Sequence, residues 1–114
     1  MYYDLTVGKI DWSKRGEYIA TRAIRRAGDM DIDPSWADEA FEDADAVHYE
    51  PDPKSKSGIS HRTIGYSPAA QQVLVVITVP DGETLWGVNA WKANTTDARD
   101  YFTKEESWDA RLTN

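Results

Sequence analysis

The chain contains no cysteine among its 114 residues. This absence excludes disulfide bonds, thiol chemistry and every zinc site that uses cysteine ligands. No apolar stretch approaches the roughly 20 residues that a membrane-spanning helix needs. The start, Met1–Asp4, has neither the basic residues nor the apolar stretch of a signal peptide. We therefore expect a cytoplasmic protein with no membrane association.

Glycine and histidine are also sparse. The 7 glycines are scattered, so no glycine-rich phosphate loop is present. The 2 histidines, His48 and His61, are the only side chains that titrate near neutral pH without a shift, and no ligand spacing around them indicates a metal site. Ser60 and His61 are adjacent, so in a strand they point to opposite faces and cannot form a nucleophile–base pair. We expect no metal and no cofactor.

The net charge of -7 is concentrated in one part of the chain. Residues 29–52, which we call the acidic segment, carry ten Asp or Glu and no Lys or Arg. Residues 1–28 carry six Lys or Arg against three acids, and residues 53–114 carry seven of each. Because local fields decide what docks where, the basic start remains a candidate for anion binding. The acidic segment is either a solvated face or a site for a basic partner, and it should lie away from any phosphate-binding surface.

The stretch Val73–Val79 is apolar or β-branched throughout, which is typical of a strand buried on both faces. The turn Pro80–Glu83 contains Asp-Gly, which adopts a tight turn at low cost. The chain then returns through the tryptophan-rich run Thr84–Ala93. These patterns predict an antiparallel hairpin at the centre of the sheet.

The remaining elements surround this hairpin. A helical period predicts a first helix over Lys14–Ala27 with Ser13 as its N-cap. A second helix starts at Asp33 and ends near Asp43, and Asn94 caps a last one. Weaker strand patterns cover Tyr2–Val7, Ala46–Tyr49 and Ile59–Ser67. We expect a single domain over residues 1–114 of the α+β class, with an antiparallel sheet of three to four strands, two N-terminal helices and one C-terminal helix.

The apolar stripe of the predicted first helix consists of Ile19, Ala20, Ala23, Ile24 and Ala27, and arginines cluster on another face. They are Arg15, Arg22, Arg25 and Arg26. This face is either solvated or a site that holds phosphate, and the pattern favours neither alternative.

A few side chains suit phosphodiester cleavage without a metal. Attack by a ribose 2′-hydroxyl needs a base, an acid for the leaving oxygen and cations on the phosphate. His61 is a candidate base or acid, and Arg62, Lys92 and one of Arg25 and Arg26 are candidate phosphate ligands. The alternative is an exposed histidine and an arginine in a surface ion pair.

Four groups of residues follow one another in a recognisable order. They are Asp11-Trp12-Ser13-Lys14, Ala40-Phe41-Glu42-Asp43, Ile64-Gly65-Tyr66-Ser67 leading into Val73-Leu74-Val75-Val76, and Ala90-Trp91-Lys92-Ala93 followed by Asp97 and Tyr101. Their order resembles the BrnT family, the toxins of bacterial type II toxin–antitoxin pairs. The resemblance implies a RelE-like ribonuclease fold and a metal-independent endoribonuclease with an RNA substrate. It also implies neutralisation by a ribbon-helix-helix antitoxin, with a heterotetramer as one form of the complex.

The resemblance assigns roles to particular side chains. Arg26 and Lys92 match functional positions of the family, and with His61 and Arg62 they make the expected catalytic set. The expected RNA-binding residues are Arg22, Arg25 and Trp91.

Three departures from the family pattern leave an alternative open. Ser60 stands where the family has an arginine five residues before its glycine, and Arg62 lies two residues later. Arg26-Ala27-Gly28 stands where the family has Lys-His-Gly, and Trp91 stands in place of an arginine. The alternative is a catalytically silent protein-binding module of the same fold. Asn89 and Trp91 would then be a contact platform for a protein or a stacked base.

Overall fold

The structure is a computed structural model and describes residues 9–103. In chain order the elements are β1 (Ile10–Asp11), α1 (Gly16–Ala20), α2 (Arg22–Arg25), α3 (Pro34–Glu42), β2 (Val47–Tyr49), β3 (His61–Ser67), β4 (Gln72–Asp81), β5 (Thr84–Lys92) and α4 (95–103). The predicted strand over Tyr2–Val7 lies outside the described residues. None of the helices within residues 9–103 combines the length and the apolar character that crossing a bilayer requires.

The five strands form one mixed sheet in the order β1-β5-β4-β3-β2. The α+β class is therefore confirmed. The prediction of a purely antiparallel sheet of three to four strands was wrong in detail, because β1 adds an edge that runs parallel to β5. That edge has only the two residues Ile10 and Asp11, which are too few to show a strand period.

The predicted central hairpin is confirmed. Strand β4 is the third of the five strands and pairs antiparallel with β5, so that Val75 lies opposite Trp91 and Val76 opposite Ala90. A register shift between Ile77 and Thr78 interrupts the pairing. The shift brings Gly87 opposite Thr78 and increases the local twist of the hairpin.

Strand β4 sends its side chains into two separate cores, one on each face of the sheet. On the first face Leu74 and Val76 are buried, and their neighbours from the helical layer are Ile19, Ile32, Ala37 and Ala40. On the second face Val75 and Ile77 are covered in part by Trp91 and by Tyr101 of α4. The sheet therefore lies between two layers, as its apolar central strand requires.

The predicted N-caps of the second helix and of the last helix are confirmed. The Asp33 carboxylate accepts a hydrogen bond from the Ser35 backbone N–H at 2.9 Å, just before α3. The Asn94 side chain accepts one from the Asp97 backbone N–H at 2.8 Å at the start of α4. Each cap satisfies an N–H group that has no partner within its helix.

The single helix predicted over Lys14–Ala27 is instead two short helices, α1 and α2, separated at Thr21. The cause is the chain that follows, which returns against α1. The Ile32 N–H donates to the Ile19 carbonyl at 2.9 Å, and the Ala23 N–H donates to the Asp31 carboxylate at 2.8 Å. These two bonds replace the helical bond from residue 23 to residue 19.

Two further expectations for this region were wrong. Helix α1 begins at Gly16 without a side-chain cap, and the Ser13 N–H donates to the Asp11 carboxylate instead of Ser13 capping the helix. The apolar stripe also stops early, because Ile24 is 83% exposed while Ile19 is fully buried.

Helix α3 approaches β3 closely at Gly65. A Cβ atom at this position would overlap the Ala40 carbonyl oxygen and lie 2.8 Å from its carbonyl carbon. Because both groups are backbone, neither can rotate away. A residue without a side chain is what allows α3 to lie flat on the sheet.

We expect Gly65→Ala to lower the free energy of unfolding by about 3 kcal/mol or more, since α3 must move away from a well-packed sheet. Urea titration of wild type and variant measures this. Gly16→Ala is the matched control, because the nearest atom that a Cβ there would meet belongs to the Pro34 side chain, at 3.3 Å. Equal losses in the two variants would contradict the close approach.

Candidate nucleic-acid interface

Cations and aromatic rings interleave where α1 and α2 meet the edge of β5. We call this the basic–aromatic surface and define it by Lys14, Arg15, Tyr18, Arg25, Arg26 and Trp86. The broken first helix creates it, because the break lets α2 turn while Tyr18 stays between its basic neighbours.

The ring of Tyr18 is stacked by two arginines. The guanidinium carbons of Arg15 and Arg25 each lie 3.9 Å from the ring centroid. Two guanidinium groups cannot share one position over a ring, so they occupy its opposite faces. Arg25 also donates to the Tyr18 carbonyl and, at 3.1 Å, to the Thr21 hydroxyl. The stack is thus fixed at several points while Tyr18 remains 36% exposed.

Lys14 and Arg26 extend the basic–aromatic surface on either side of this stack. The Lys14 ammonium lies 4.2 Å from the centroid of the Trp86 ring. Arg26 has 80% of its side chain exposed and only a long contact of 4.0 Å with Asp29. The cations are therefore held in place by rings and backbone, and their charge is available to an anion.

Two arginines attach this region to the open edge of β5. Strand β1 pairs only with Leu85 and Trp86, so the next part of β5 has no neighbouring strand at this edge among the described residues. There the Arg15 Nε donates to the Val88 carbonyl at 3.2 Å, and Arg22 donates to the Ala90 carbonyl at 3.3 Å. These side chains satisfy carbonyl groups that a sixth strand would otherwise bind.

Arg22 is occupied more fully than Arg15. It also donates to the Asn89 side chain at 2.9 Å and pairs with Asp29 at 3.0 Å. Arg22, predicted to bind RNA, therefore docks α2 on the sheet through these contacts, which use much of its hydrogen-bonding capacity.

The basic–aromatic surface carries little compensating charge. Within residues 9–103, no carboxylate oxygen lies within 4.0 Å of a charged nitrogen of Lys14, Arg15 or Arg25. Each guanidinium has further in-plane N–H groups besides those that bind Val88, Thr21 and Tyr18, and such groups match the oxygens of a phosphate. The arrangement therefore places several phosphate donors side by side at one surface, which is the electrostatic part of binding a single-stranded nucleic acid.

Arg62 has a different role from the one the sequence predicted. It is buried on β3, where its Nε lies 3.1 Å from Asp52 and its Nη1 lies 3.9 Å from Asp97, both of them buried. Its guanidinium also lies 5.5 Å from the Trp91 ring. Arg62 therefore joins the loop after β2 to α4, and two carboxylates already neutralise its charge.

His61 and Lys92 lie at opposite ends of the sheet. In the strand register His61 pairs with Thr78 at one end of β3, whereas Lys92 pairs with Leu74, which in turn pairs with Gly65 near the other end. Four residues along a strand correspond to about 13 Å. The structure therefore does not bring the expected proton-transfer group to the expected phosphate ligand. Arg26 directly follows α2, and its 80% exposed side chain reaches only to 4.0 Å from Asp29, so no contact of its own places it beside Lys92.

The two residues of the alternative contact platform are engaged with other parts of the fold. Trp91 packs in the second core and lies beside Arg62. The Asn89 side chain accepts hydrogen bonds from Arg22 and from the Ala90 N–H. Neither side chain forms an exposed platform of the kind proposed from the sequence.

The acidic segment is mostly a set of structural hydrogen-bond acceptors. Seven of its ten acids accept bonds from other parts of the chain, namely Asp29, Asp31, Asp33, Asp38, Glu39, Asp43 and Asp52. Glu39, for example, accepts from the Ser67 hydroxyl at 2.7 Å and from the Ala69 N–H at 3.1 Å. Six of the ten acids are exposed all the same, namely Asp31, Asp33, Glu39, Glu42, Asp45 and Glu50, so the solvated face stays a prediction. Glu42, Asp45 and Glu50 are the exposed acids that are not among the acceptors named above.

The carboxyl group of Asp38 has a pKa well above its ordinary value. Burial raises the pKa of Asp38 to about 6, and the nearby Glu42 and Asp33 act in the same direction. The indole N–H of Trp12 donates to this carboxylate at 3.0 Å and opposes the rise. The same indole packs so closely on Gly87 that an added Cβ there would overlap the ring. Asp38 thus holds the Trp12 ring over β5 beside Lys14.

Within residues 9–103 no group of three or more His, Asp or Glu side chains is arranged to hold a metal ion. Comparisons with known proteins add no relative: no family model, no curated protein and no solved structure matches this chain.

Sequence analysis missed the aromatic members of the interface. Tyr18 lies three residues after Arg15, a spacing that places the two side chains on one side of a helix. That spacing was available from the sequence. The contact between Lys14 and Trp86 was not, because 72 positions separate the two residues (86 minus 14).

We expect Asp38→Asn to remove a pH dependence of stability. The folded-state pKa of about 6 exceeds the ordinary value of 3.8, so the folded protein binds this proton more tightly than the unfolded chain does. The resulting stabilisation is present below about pH 4 and is lost as the pH rises through about 6. Asn has no carboxyl to titrate and can still accept from Trp12.

The difference in the free energy of unfolding, variant minus wild type, should therefore increase when the pH is raised from about 4 to about 7. Urea unfolding of both proteins at the two pH values measures it. Asp45→Asn removes the same charge at an exposed position of the acidic segment and is the control. A difference between Asp38→Asn and wild type that does not change with pH would contradict the raised pKa.

We expect Arg62→Met to act on folding. Removing one partner of a buried ion pair leaves charge uncompensated and typically costs about 3–5 kcal/mol, so the free energy of unfolding should fall by that amount. RNA affinity, measured on the fraction that remains folded, should be unchanged. Loss of affinity without loss of stability would show that Arg62 faces a ligand.

Proposed function

We propose that the protein binds single-stranded RNA on its basic–aromatic surface. The observation that carries the proposal is the Tyr18 ring held between Arg15 and Arg25. The guanidinium N–H groups that the protein does not use can donate to phosphates, and Lys14 adds a third cation over the Trp86 ring. Binding to the phosphate backbone tolerates many base sequences.

The resemblance to the BrnT family suggests what this binding is for. In our proposal the protein is the toxin of a type II toxin–antitoxin pair in the cytoplasm, and a ribbon-helix-helix antitoxin neutralises it. The basic start and the acidic segment carry opposite charge, so in such a complex they would bind different partners. RNA would meet Arg25 and Arg26, while a basic arm of the antitoxin would meet the exposed Glu42, Asp45 and Glu50.

The geometry supports holding RNA better than cutting it with the predicted catalytic set. Arg62 is neutralised by Asp52 and Asp97, and His61 lies at the other end of the sheet from Lys92. A general acid or base must come within hydrogen-bond reach of the reacting oxygen. We therefore propose toxicity through sequestration of RNA. If the protein instead cleaves RNA as a metal-independent endoribonuclease, cleavage replaces sequestration as the proposed cause of toxicity.

The affinity for a short single-stranded RNA should depend on the stacked arginines. We expect the double variant Arg15→Gln, Arg25→Gln to bind at least tenfold more weakly. The slope of log affinity against log salt should fall by about 1.4, at roughly 0.7 for each phosphate that the variant no longer neutralises. Fluorescence anisotropy at several salt concentrations measures both quantities.

The matched control for this pair is the double variant Lys54→Gln, Lys56→Gln, which removes two exposed charges from the loop after β2. It should bind RNA like wild type. Equal effects of the two double variants would contradict a localised interface.

Induction of the protein alone tests the biological part of the proposal. We expect growth arrest with intact total RNA, and recovery when the antitoxin is supplied. The same induction with Arg15→Gln, Arg25→Gln should not arrest growth. Arrest with fragmented RNA that persists in a stable His61→Ala variant would place the cleavage chemistry elsewhere in the protein. The absence of both arrest and RNA binding would refute the proposed function.

A further inference from the structure

The turn of residues 12–15, between β1 and α1, carries two cations of the basic–aromatic surface. The Lys14 ammonium lies 4.2 Å from the centroid of the Trp86 ring. Arg15 lies over the Tyr18 ring and donates to the Val88 carbonyl at 3.2 Å. Trp86 and Val88 both belong to β5, so the position of this turn along β5 determines where the two cations stand.

Trp12, the first residue of the turn, anchors it to the sheet. Its ring packs on Gly87 of β5 so closely that an added Cβ there would overlap the ring, and it also packs against the first core. The Trp12 carbonyl accepts a hydrogen bond from the Gly16 N–H at 2.8 Å, which closes the turn. The seat of this ring therefore fixes the turn at one position on β5.

Helix α3 holds the same turn from the other side. The Asp38 carboxylate accepts a hydrogen bond from the Trp12 indole N–H at 3.0 Å. One helical turn earlier, Pro34 meets the end of the turn, because a Cβ at Gly16 would lie 3.3 Å from the Pro34 side chain. The Trp12 ring is thus held between β5 and α3, and the bond to Asp38 gives it a fixed orientation.

The ring of Trp12 and the ring of Trp86 lie on opposite faces of β5. Gly87, which Trp12 covers, directly follows Trp86 in the strand, and consecutive strand residues point to opposite faces. Asp38 therefore cannot act on Lys14 by direct contact. Its influence passes through Trp12 and the turn, in which a single residue separates Trp12 from Lys14.

We propose that Asp38 is a positioning residue for RNA binding and acts through Trp12. By holding the indole ring on β5, it fixes the turn that presents Lys14 and Arg15 to phosphates. This inference rests on the proposed RNA binding and adds a residue of the acidic segment to its support. The charge of Asp38 opposes a phosphate, whereas its hydrogen bond favours the phosphate site, so the two effects have opposite signs.

Asp38→Ala separates position from charge. If only charge mattered, removing a carboxylate near a phosphate-binding surface would raise RNA affinity. If position matters, the affinity for a short single-stranded RNA should instead fall about fivefold, and the salt slope by about 0.7, as for one misplaced cation. Fluorescence anisotropy at several salt concentrations measures both quantities.

The ε-methylene proton resonances of Lys14 provide a readout that needs no RNA. The ring current of Trp86 shifts them upfield, so they report the contact between the lysine and the ring. Asp38→Ala should move these resonances toward those of a lysine without a ring contact. Asp38→Asn keeps an oxygen that accepts from Trp12, so it should leave the resonances unchanged and RNA affinity no lower than in wild type.

Glu39→Ala is the matched control. Glu39 follows Asp38 on α3, carries the same charge and accepts from the Ser67 hydroxyl at 2.7 Å, so its loss should lower stability without disturbing the turn. It should neither move the Lys14 resonances nor weaken RNA binding. If Asp38→Ala does not fold, Trp12→Phe takes its place with the same expected results, because it keeps a ring and lacks the indole N–H.

The outcomes separate this inference from the function on which it rests. If RNA binds through Arg15 and Arg25 but Asp38→Ala binds it as well as wild type or better, the positioning role is refuted and the proposed function stands. If wild type does not bind RNA, yet Asp38→Ala alone displaces the Lys14 resonances, the support of the turn by Asp38 stands and the proposed function fails. Equal effects of Asp38→Ala and Glu39→Ala, or of Asp38→Ala and Asp38→Asn, overturn the positioning role.

Discussion

Burial of strand β4 on both faces is the constraint on which the rest of the structure depends. Leu74 and Val76 require cover on one side and Val75 and Ile77 on the other, so neither face of the sheet can remain open to water. Helices α1 and α3 meet the first requirement, and α4 contributes to the second. The close approach of α3 at Gly65 follows from the first requirement.

On the second face of the sheet, the same constraint also buries charged side chains. Helix α4 carries Asp97 into the protein, and Arg62 with Asp52 compensates for that buried charge. Buried charges must be paired because desolvation costs more than an isolated ion can recover. The network holds the loop after β2, the sheet and α4 together.

Arginines in this chain divide into two groups that the sequence does not distinguish. Arg22 and Arg62 face the protein and satisfy carbonyls or carboxylates. Arg15 and Arg25 lie against the Tyr18 ring at the surface, and although each also donates to a backbone carbonyl, neither has a carboxylate partner among the described residues. The first group stabilises the fold and the second carries the proposed RNA interface. Most acids of the acidic segment likewise serve the fold, so the net charge of -7 says little about which surface meets RNA.

The sequence by itself determined the features that depend on near neighbours. These are the central hairpin, the caps at Asp33 and Asn94 and the α+β class, because strand propensity, turn chemistry and capping act over a few residues. Only the tertiary structure decided the break at Thr21 and the role of each arginine. The break follows from hydrogen bonds made by the returning chain, and Arg62 finds Asp97 35 positions away (97 minus 62). A guanidinium group binds a carboxylate, a carbonyl, a ring or a phosphate with similar ease, so its role depends on what folding places beside it.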